Sequence, residues 1–474
     1  MSFDSYTFGL FFLLVLFLHR LPFSWKFKKL NLLWASYIFY AAWNPPMVVL
    51  LWISTITDWW VGRWLYVTRG ESKRRLLLTV SLLVNLGMLS YFKYASFLLD
   101  NFVAFVSMLG VAYRPPELDI VLPVGISFFV FQSLSYTFDI YRRREHPTDS
   151  FFDYALFVTF FPQLVAGPIV RSATFLPQLG EPRRADAAQL SWGFLLMIVG
   201  LFQKVCLADN LLAPVTEAVY DNDVLSNTAS AWLGTMAFAG QIYCDFAGYS
   251  TTAIGAALCL GFSIPDNFRF PYAACGFSDF WRRWHISLSG WLRDYLYISL
   301  GGNRMGQLRT SVNLMMTMLI GGLWHGASWN FVIWGGLHGL YLIVERWIRN
   351  LIPEFEGLTG SLLRLVAIVV TFLFTCFAWV FFRASAFGDA IAIQSSLLGM
   401  PGEGAEMTVS GSRAMSTVAV VGSILLVHYA LRGISLEEFM RRSPLFVRWL
   451  IVGLMLFAIA VSTGEDRAFI YFQF

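Results

Sequence analysis

The sequence predicts an all-α, polytopic membrane protein with roughly 10–12 transmembrane helices, and three observations carry that reading. Only 14% of the 474 residues are charged while 57% are hydrophobic, against about 25% charged in a soluble domain. Apolar runs recur at residues 10–18, 76–89, 191–201, 232–242, 362–382 and 449–461. Several approach the ~20 residues that cross a bilayer, and others are shorter or interrupted. The cations gather between the runs, as the loops that set topology require. No basic stripe stands clear of the membrane segments, which excludes a nucleic-acid partner. Cys206, Cys244, Cys259, Cys275 and Cys376 form no CxxC pair and read as core thiols.

Each element follows from the charge pattern. The first apolar run lacks a basic leader and reads as a retained helix rather than a cleaved signal. Arg20, Lys26, Lys28 and Lys29 follow it, placing the N-terminus outside. Arg69, Lys73, Arg74 and Arg75 follow the third helix on the inner side, and the "AWNPP" turn before that helix carries no cation. The stretch 209–223 holds Asp209, Glu217, Asp221 and Asp223 without Lys or Arg, as an outer loop would. Arg441, Arg442 and Arg448 precede the last apolar run, so the tail 462–474 is expected on the outer face. No internal repeat divides the chain, which reads as one membrane-embedded domain over 1–474.

Residues 265–310 break the pattern. They are aromatic yet carry Arg269, Arg282, Arg283, Arg293, Arg304 and Arg309, too many charges for a span. Two readings stand: amphipathic helices at the inner interface lining the mouth of a site, or a positively charged anchor. His285 within the aromatic run, and Asp279 and Asp294 within reach of arginines, favour the first.

Six histidines sharpen this. His19 and His146 flank basic loops and read as interfacial; His428 ends a late helix and reads as structural. The other three cluster: His285 in "WRRWHISLS", His325 in "GGLWHGASW" and His338 in "WGGLHG". An ionisable group inside a membrane is costly unless paired, so it marks function by default. Gly321, Gly322 and Gly326 around His325 allow close approach of a ligand, though a hydrogen-bonded core histidine fits the same residues. The spacings match no HExxH or CxxC metal pattern, and GxSxG, P-loop and GxGxxG motifs are absent. What remains is a histidine base acting on a hydroxyl beside a cation-rich mouth suited to an anionic donor.

The blocks "FPQLVAGPIVR" (161–171), "QIYCDFAGYSTTAIG" (241–255), "NFRFPYAACGFSDFWRRWHISLSGWLRDYLYISLGGNR" (267–304), "GGLWHGASWNFVIWGGLHG" (321–339), "AWVFFRA" (378–384) and the terminal "FIYFQF" closely resemble the membrane-bound O-acyltransferase family. The nearest branch is the bacterial alginate O-acetyltransferase type. Ser299 departs from it where a proline is expected, away from any proposed chemistry. The resemblance implies helices, some interfacial and some re-entrant, around a central tunnel. It implies His325 as the catalytic histidine, and His285, forty positions earlier, facing it. His338, Trp324, Arg282, Arg283 and Asp245 are expected to support the tunnel or bind the donor, although Asp245 reads more readily as a helix-break cap or another structural group. No metal or cofactor is expected beyond an acyl thioester co-substrate, acetyl-CoA or an acyl-carrier protein. The branch further implies a bacterial inner membrane with both termini periplasmic. It also implies an acetyl group passed outward to a periplasmic SGNH-type partner that acylates an exported polysaccharide such as alginate. Tyr471 would carry the group as acyl acceptor.

The relay is chemically reasonable. A phenol of pKa near ~10 leaves more readily than a sugar alkoxide, and a histidine can take its proton near neutral pH. The 13 residues after Val461 reach about 43 Å when extended, enough for Tyr471 to re-enter from outside. The competing reading of Tyr471 is an interfacial aromatic belt. Competing functions are D-alanyl or other acyl transfer to a cell-envelope polymer and, in a different class, a transporter or flippase. The missing repeat and the scarcity of mid-membrane charge disfavour the transporter.

Overall fold

The computed structural model describes the chain except residues 117, 166, 223, 350–356, 463–466, 468 and 471–474. Among the described residues every regular element is helical, and extended backbone pairs only at the bridge between Ser226 and Glu406. Among the described residues, four helices are long and apolar enough to cross a membrane: Glu71–Met108, Ala187–Tyr220, Ser361–Arg383 and Gly411–Ala430. Tyr6–Arg20 and Leu445–Val461 are apolar but shorter.

The gap between these and the expected 10–12 has a physical source. Val48–Val67, Thr228–Cys259, Gly306–His325 and Trp329–Arg349 have 20, 32, 20 and 21 residues, which is length enough. They carry Asp58, Asp245, His325 and His338, and all four side chains are buried. Polar groups directed inward lower the mean hydropathy of a helix without exposing charge to lipid. Large apolar side chains are exposed on helices throughout the chain, Trp34, Trp60, Trp64, Leu83 and Phe105 among them. Such a surface suits hydrocarbon and is rare on soluble monomers.

The described residues form two compact units. The first comprises residues 1–194 and 253–265. Its helices Tyr6–Arg20, Trp25–Ala41 and Phe151–Thr159 start on Ser5, Ser24 and Ser150, whose hydroxyls accept from backbone N–H groups of the first turn. Ile126–Tyr141 is buried along nearly its whole length. Beside it, the buried Asp58 carboxylate accepts from Ser81 Oγ at 2.5 Å and Asn85 Nδ2 at 2.7 Å. Ser54 links Asn85 to Ser133, so the polar groups satisfy one another. His19 belongs here too and is buried. Its ring packs near Trp25 and Phe262, with Nε2 3.1 Å from the Arg183 carbonyl.

The second unit comprises residues 195–252 and 266–474 and holds every described candidate site residue. The acidic stretch expected as an outer loop begins inside it. Asp209 lies in the π-helical segment Phe202–Leu212, buried 2.9 Å from Lys204. A cation five residues earlier makes that carboxylate tolerable at depth. Residues 265–310 are broken into short pieces as expected, among them Phe277–Trp281 and Ile286–Trp291. Leu288, Trp291 and Tyr295 face inward while Arg269 and Arg293 are exposed. Gly276, at φ +95°, lets the chain pass Glu345, whose carboxylate accepts from Ser278 N at 2.9 Å and would meet an added Cβ at 2.8 Å.

Candidate active site

His325 is the last residue of Gly306–His325, which folds back on Trp329–Arg349 through a three-residue turn. Glycine makes this hairpin possible. A Cβ on Gly322 would lie 2.2 Å from the Phe331 carbonyl oxygen, and one on Gly335 would lie 2.3 Å from that of Met318. Small residues let the two backbones touch, as membrane helix pairs require. At Gly326 a Cβ would enter the Phe331 ring. The "WHG" glycine therefore lets Phe331 close under the histidine. Asn330 ties the hairpin to the "AWVFFRA" block by donating to the Ala384 carbonyl at 3.0 Å.

Aromatic rings wall in the His325 imidazole: Trp324 at 5.0 Å, Trp334 at 4.9 Å and Phe382 at 5.4 Å between centroids. Its position at a helix C-terminus means that an imidazolium formed there meets the negative end of the helix dipole. His285 lies 6.4 Å away, with Trp324 beside both rings. That separation, measured between ring centroids, places both imidazoles at one site.

His285 adopts the left-handed conformation, φ 43° and ψ 55°, and is fully buried. A non-glycine residue holds that strained geometry only where its surroundings impose it. Asn267 imposes it. Its backbone carbonyl accepts from Ile286 N at 2.9 Å. Its side-chain Oδ1 meets His285 Nδ1 at 3.0 Å, Ser287 Oγ at 2.9 Å and Ser287 N at 3.3 Å. Its Nδ2 donates to Ser250 Oγ at 3.0 Å. A backbone N–H donates into Oδ1, so that atom is the carbonyl oxygen and Nδ1 of His285 carries the proton. In the neutral ring Nε2 is then the basic nitrogen. Asn267→Leu is expected to lower turnover on the order of ten- to a hundred-fold with little change in donor KM. Asn267→Asp, which keeps an acceptor oxygen, is expected to recover part of the loss. Equal turnover in the leucine variant and the unaltered protein would remove this role.

The structure brings His325, His285 and Trp324 together and places His338 behind them. His338 is buried against Phe280, Trp281 and Trp334, and Trp334 touches both His338 and His325 at 4.9 Å. The arginines lie elsewhere. Arg282 is exposed and donates to Ser278. Arg283 and Arg432 pair with Asp279 at 2.9 and 2.8 Å. Burial pushes the Asp279 carboxyl up, but the Cys275 N–H and the two guanidiniums outweigh it and hold the group below the usual carboxylate range. His428 is structural, its Nδ1 accepting from Tyr272 N at 3.2 Å.

Asp245 is not a helix-break cap, because Thr228–Cys259 runs unbroken through it. Its carboxylate pairs with Lys204 at 2.6 Å and accepts from the backbone N–H of Ile470 at 2.9 Å. The tail therefore returns to a buried position. Phe469 lies 4.4 Å from the Tyr249 ring and 5.7 Å from Phe246, and Phe246 stands edge-on to His285 at 4.7 Å. Tyr471 lies outside the described residues. Sequence reasoning missed Asn267, Phe246 and Lys204. A lysine inside an apolar run was a legible signal for the last, whereas nothing local distinguishes Asn267.

A model of the membrane-bound O-acyltransferase family matches residues 23–385, which include His285, His325 and His338. The chain belongs to that family. It is similar to a protein of Azotobacter vinelandii named "Probable alginate O-acetylase", with 39% identity over 87% of this chain and 81% of that one. It is also similar to the peptidoglycan O-acetyltransferase of Helicobacter pylori, with 37% identity over 79% of this chain and 75% of that one. The teichoic acid D-alanyltransferase of Bacillus subtilis is 28% identical over 49% of this chain and 61% of its own length. This acyltransferase is thus a multi-pass membrane enzyme, with its paired histidines on elements that the family match covers.

Proposed function

We propose that this O-acyltransferase moves an acetyl group from a cytoplasmic thioester, acetyl-CoA or an acyl-carrier protein, across a bacterial inner membrane for O-acetylation of an exported polysaccharide. Tyr471 is the intermediate acceptor. His325 takes the phenolic proton as the phenolate oxygen attacks the thioester carbonyl; the C–S bond breaks, and the thiolate leaves with that proton. His285, with Nε2 as its basic nitrogen, orients the reacting group from the opposite side. The acetyl-tyrosine then presents its ester to a periplasmic SGNH-type partner. Both termini are periplasmic in this arrangement, and a central tunnel connects the two faces. Arg282 at the inner mouth suits the phosphates of the donor.

The observation that carries the reading is the seating of Phe469 and Ile470, one ring away from His285 through Phe246. The residue after Ile470 is the tyrosine. Acetyl is favoured over D-alanyl because the acetylating relatives match more of the chain at higher identity. The test is intact-mass and peptide mapping of the full-length protein after incubation with acetyl thioester. A single acetyl group on the C-terminal peptide is the expected result. A D-alanyl adduct from a carrier-protein donor supports the alternative, and no adduct under turnover sinks the relay.

A further inference from the structure

Lys204, Asp209 and Asp245 form a charged cluster that neither histidine requires. All three side chains are buried, with Lys204 Nζ 2.9 Å from Asp209 and 2.6 Å from Asp245. Desolvating three charges costs several kcal/mol per ion unless each is paired and hydrogen-bonded. A purely structural crosslink between Phe202–Leu212 and Thr228–Cys259 would need one lysine and one carboxylate. This cluster has a second carboxylate, and it meets the tail at two points. Asp245 Oδ2 accepts from Ile470 N at 2.9 Å, and Lys204 Nζ donates to the Arg467 carbonyl at 3.2 Å. The Arg467 guanidinium pairs with Glu217 on Ala213–Tyr220.

We propose that Lys204, Asp209 and Asp245 are a receptor site for the main chain of the C-terminal tail. Asp245 grips the amide of Ile470, Lys204 grips the carbonyl of Arg467, and Asp209 holds the lysine in place. Both gripped groups are backbone atoms, three residues apart, so the site reads direction and register rather than side-chain identity. Register matters because a one-residue slip displaces everything beyond the grip by about 3.3 Å, and a misplacement near 1 Å can already cost a reaction two orders of magnitude. The purpose of the site, though not its geometry, rests on the relay reading: it fixes where residue 471 begins.

The test uses the full-length protein in nanodiscs and trypsin cleavage of the Arg467–Ala468 bond, read as mass-spectrometric release of the 468–474 peptide. The seated tail is expected to resist cleavage, because the Arg467 carbonyl and guanidinium are both engaged. Ile470→Pro removes the N–H that Asp245 accepts, while also fixing φ and trimming the side chain, and cleavage should quicken on the order of ten- to a hundred-fold. Ile470→Val keeps the N–H and should match the unaltered protein. Lys204→Met should release the tail as well, and Ile470→Pro decides the matter if that variant fails to fold. Equal cleavage rates in Ile470→Pro and the unaltered protein would overturn the site, even with Tyr471 acetylated. A released tail with acetyl transfer undiminished would leave the site standing and remove the relay.

Discussion

His325→Ala is expected to reduce acyl transfer by about three orders of magnitude, at the upper part of the ~10²–10⁴ range for loss of a positioned general base. The measurement is donor-dependent release of free thiol by purified protein, with acetylated polymer in cells as a second readout. Insertion should survive, because His325 ends its helix and the glycine contacts that close the hairpin lie in the backbone. The ring fills space among Trp324, Trp334 and Phe382, so His325→Gln serves as a space-filling control that cannot accept a proton at neutral pH. Turnover near the unaltered level in both variants would defeat the assignment. The double variant with His285→Ala separates two arrangements. If the two imidazoles act on one reacting group, the double variant should be little worse than the more damaging single one, as for residues that work as a unit. Multiplying losses would instead mean independent steps.

The residues legible in the sequence were those whose chemistry conflicts with their surroundings. His285, His325 and His338 stood out because imidazoles in aromatic, glycine-rich membrane segments need a reason to be there. The fold class was legible from apolar runs alone. The expected 10–12 spans exceed the four helices that are both long and strongly apolar among the described residues, because Thr228–Cys259 and the two hairpin helices turn polar groups inward. Asn267 was illegible for a different reason. Its role depends on backbone at 267 lying beside backbone at 286, a long-range pairing that no local pattern announces. Asp245 was visible but its partners were not, since they are a lysine 41 positions earlier and an amide 225 positions later. The acidic stretch from Asp209 failed because counting charges ignores the pairing that carries a carboxylate inside.

Tyr471→Phe is the second large effect. It removes one oxygen and keeps the ring, so a residue serving only as an aromatic anchor at the membrane surface would lose nothing of consequence. As acyl acceptor it is indispensable, and polymer acetylation in cells should fall at least on the order of a hundred-fold. Loss of activity alone would not separate lost chemistry from a displaced tail. The seat at Lys204 and Asp245 makes that separation possible, because it holds Arg467 and Ile470 through main-chain groups that Tyr471→Phe leaves untouched. The phenylalanine variant should therefore lose acetylation while its Arg467–Ala468 bond stays as resistant to trypsin as before. Normal acetylation in the phenylalanine variant would return Tyr471 to the membrane belt.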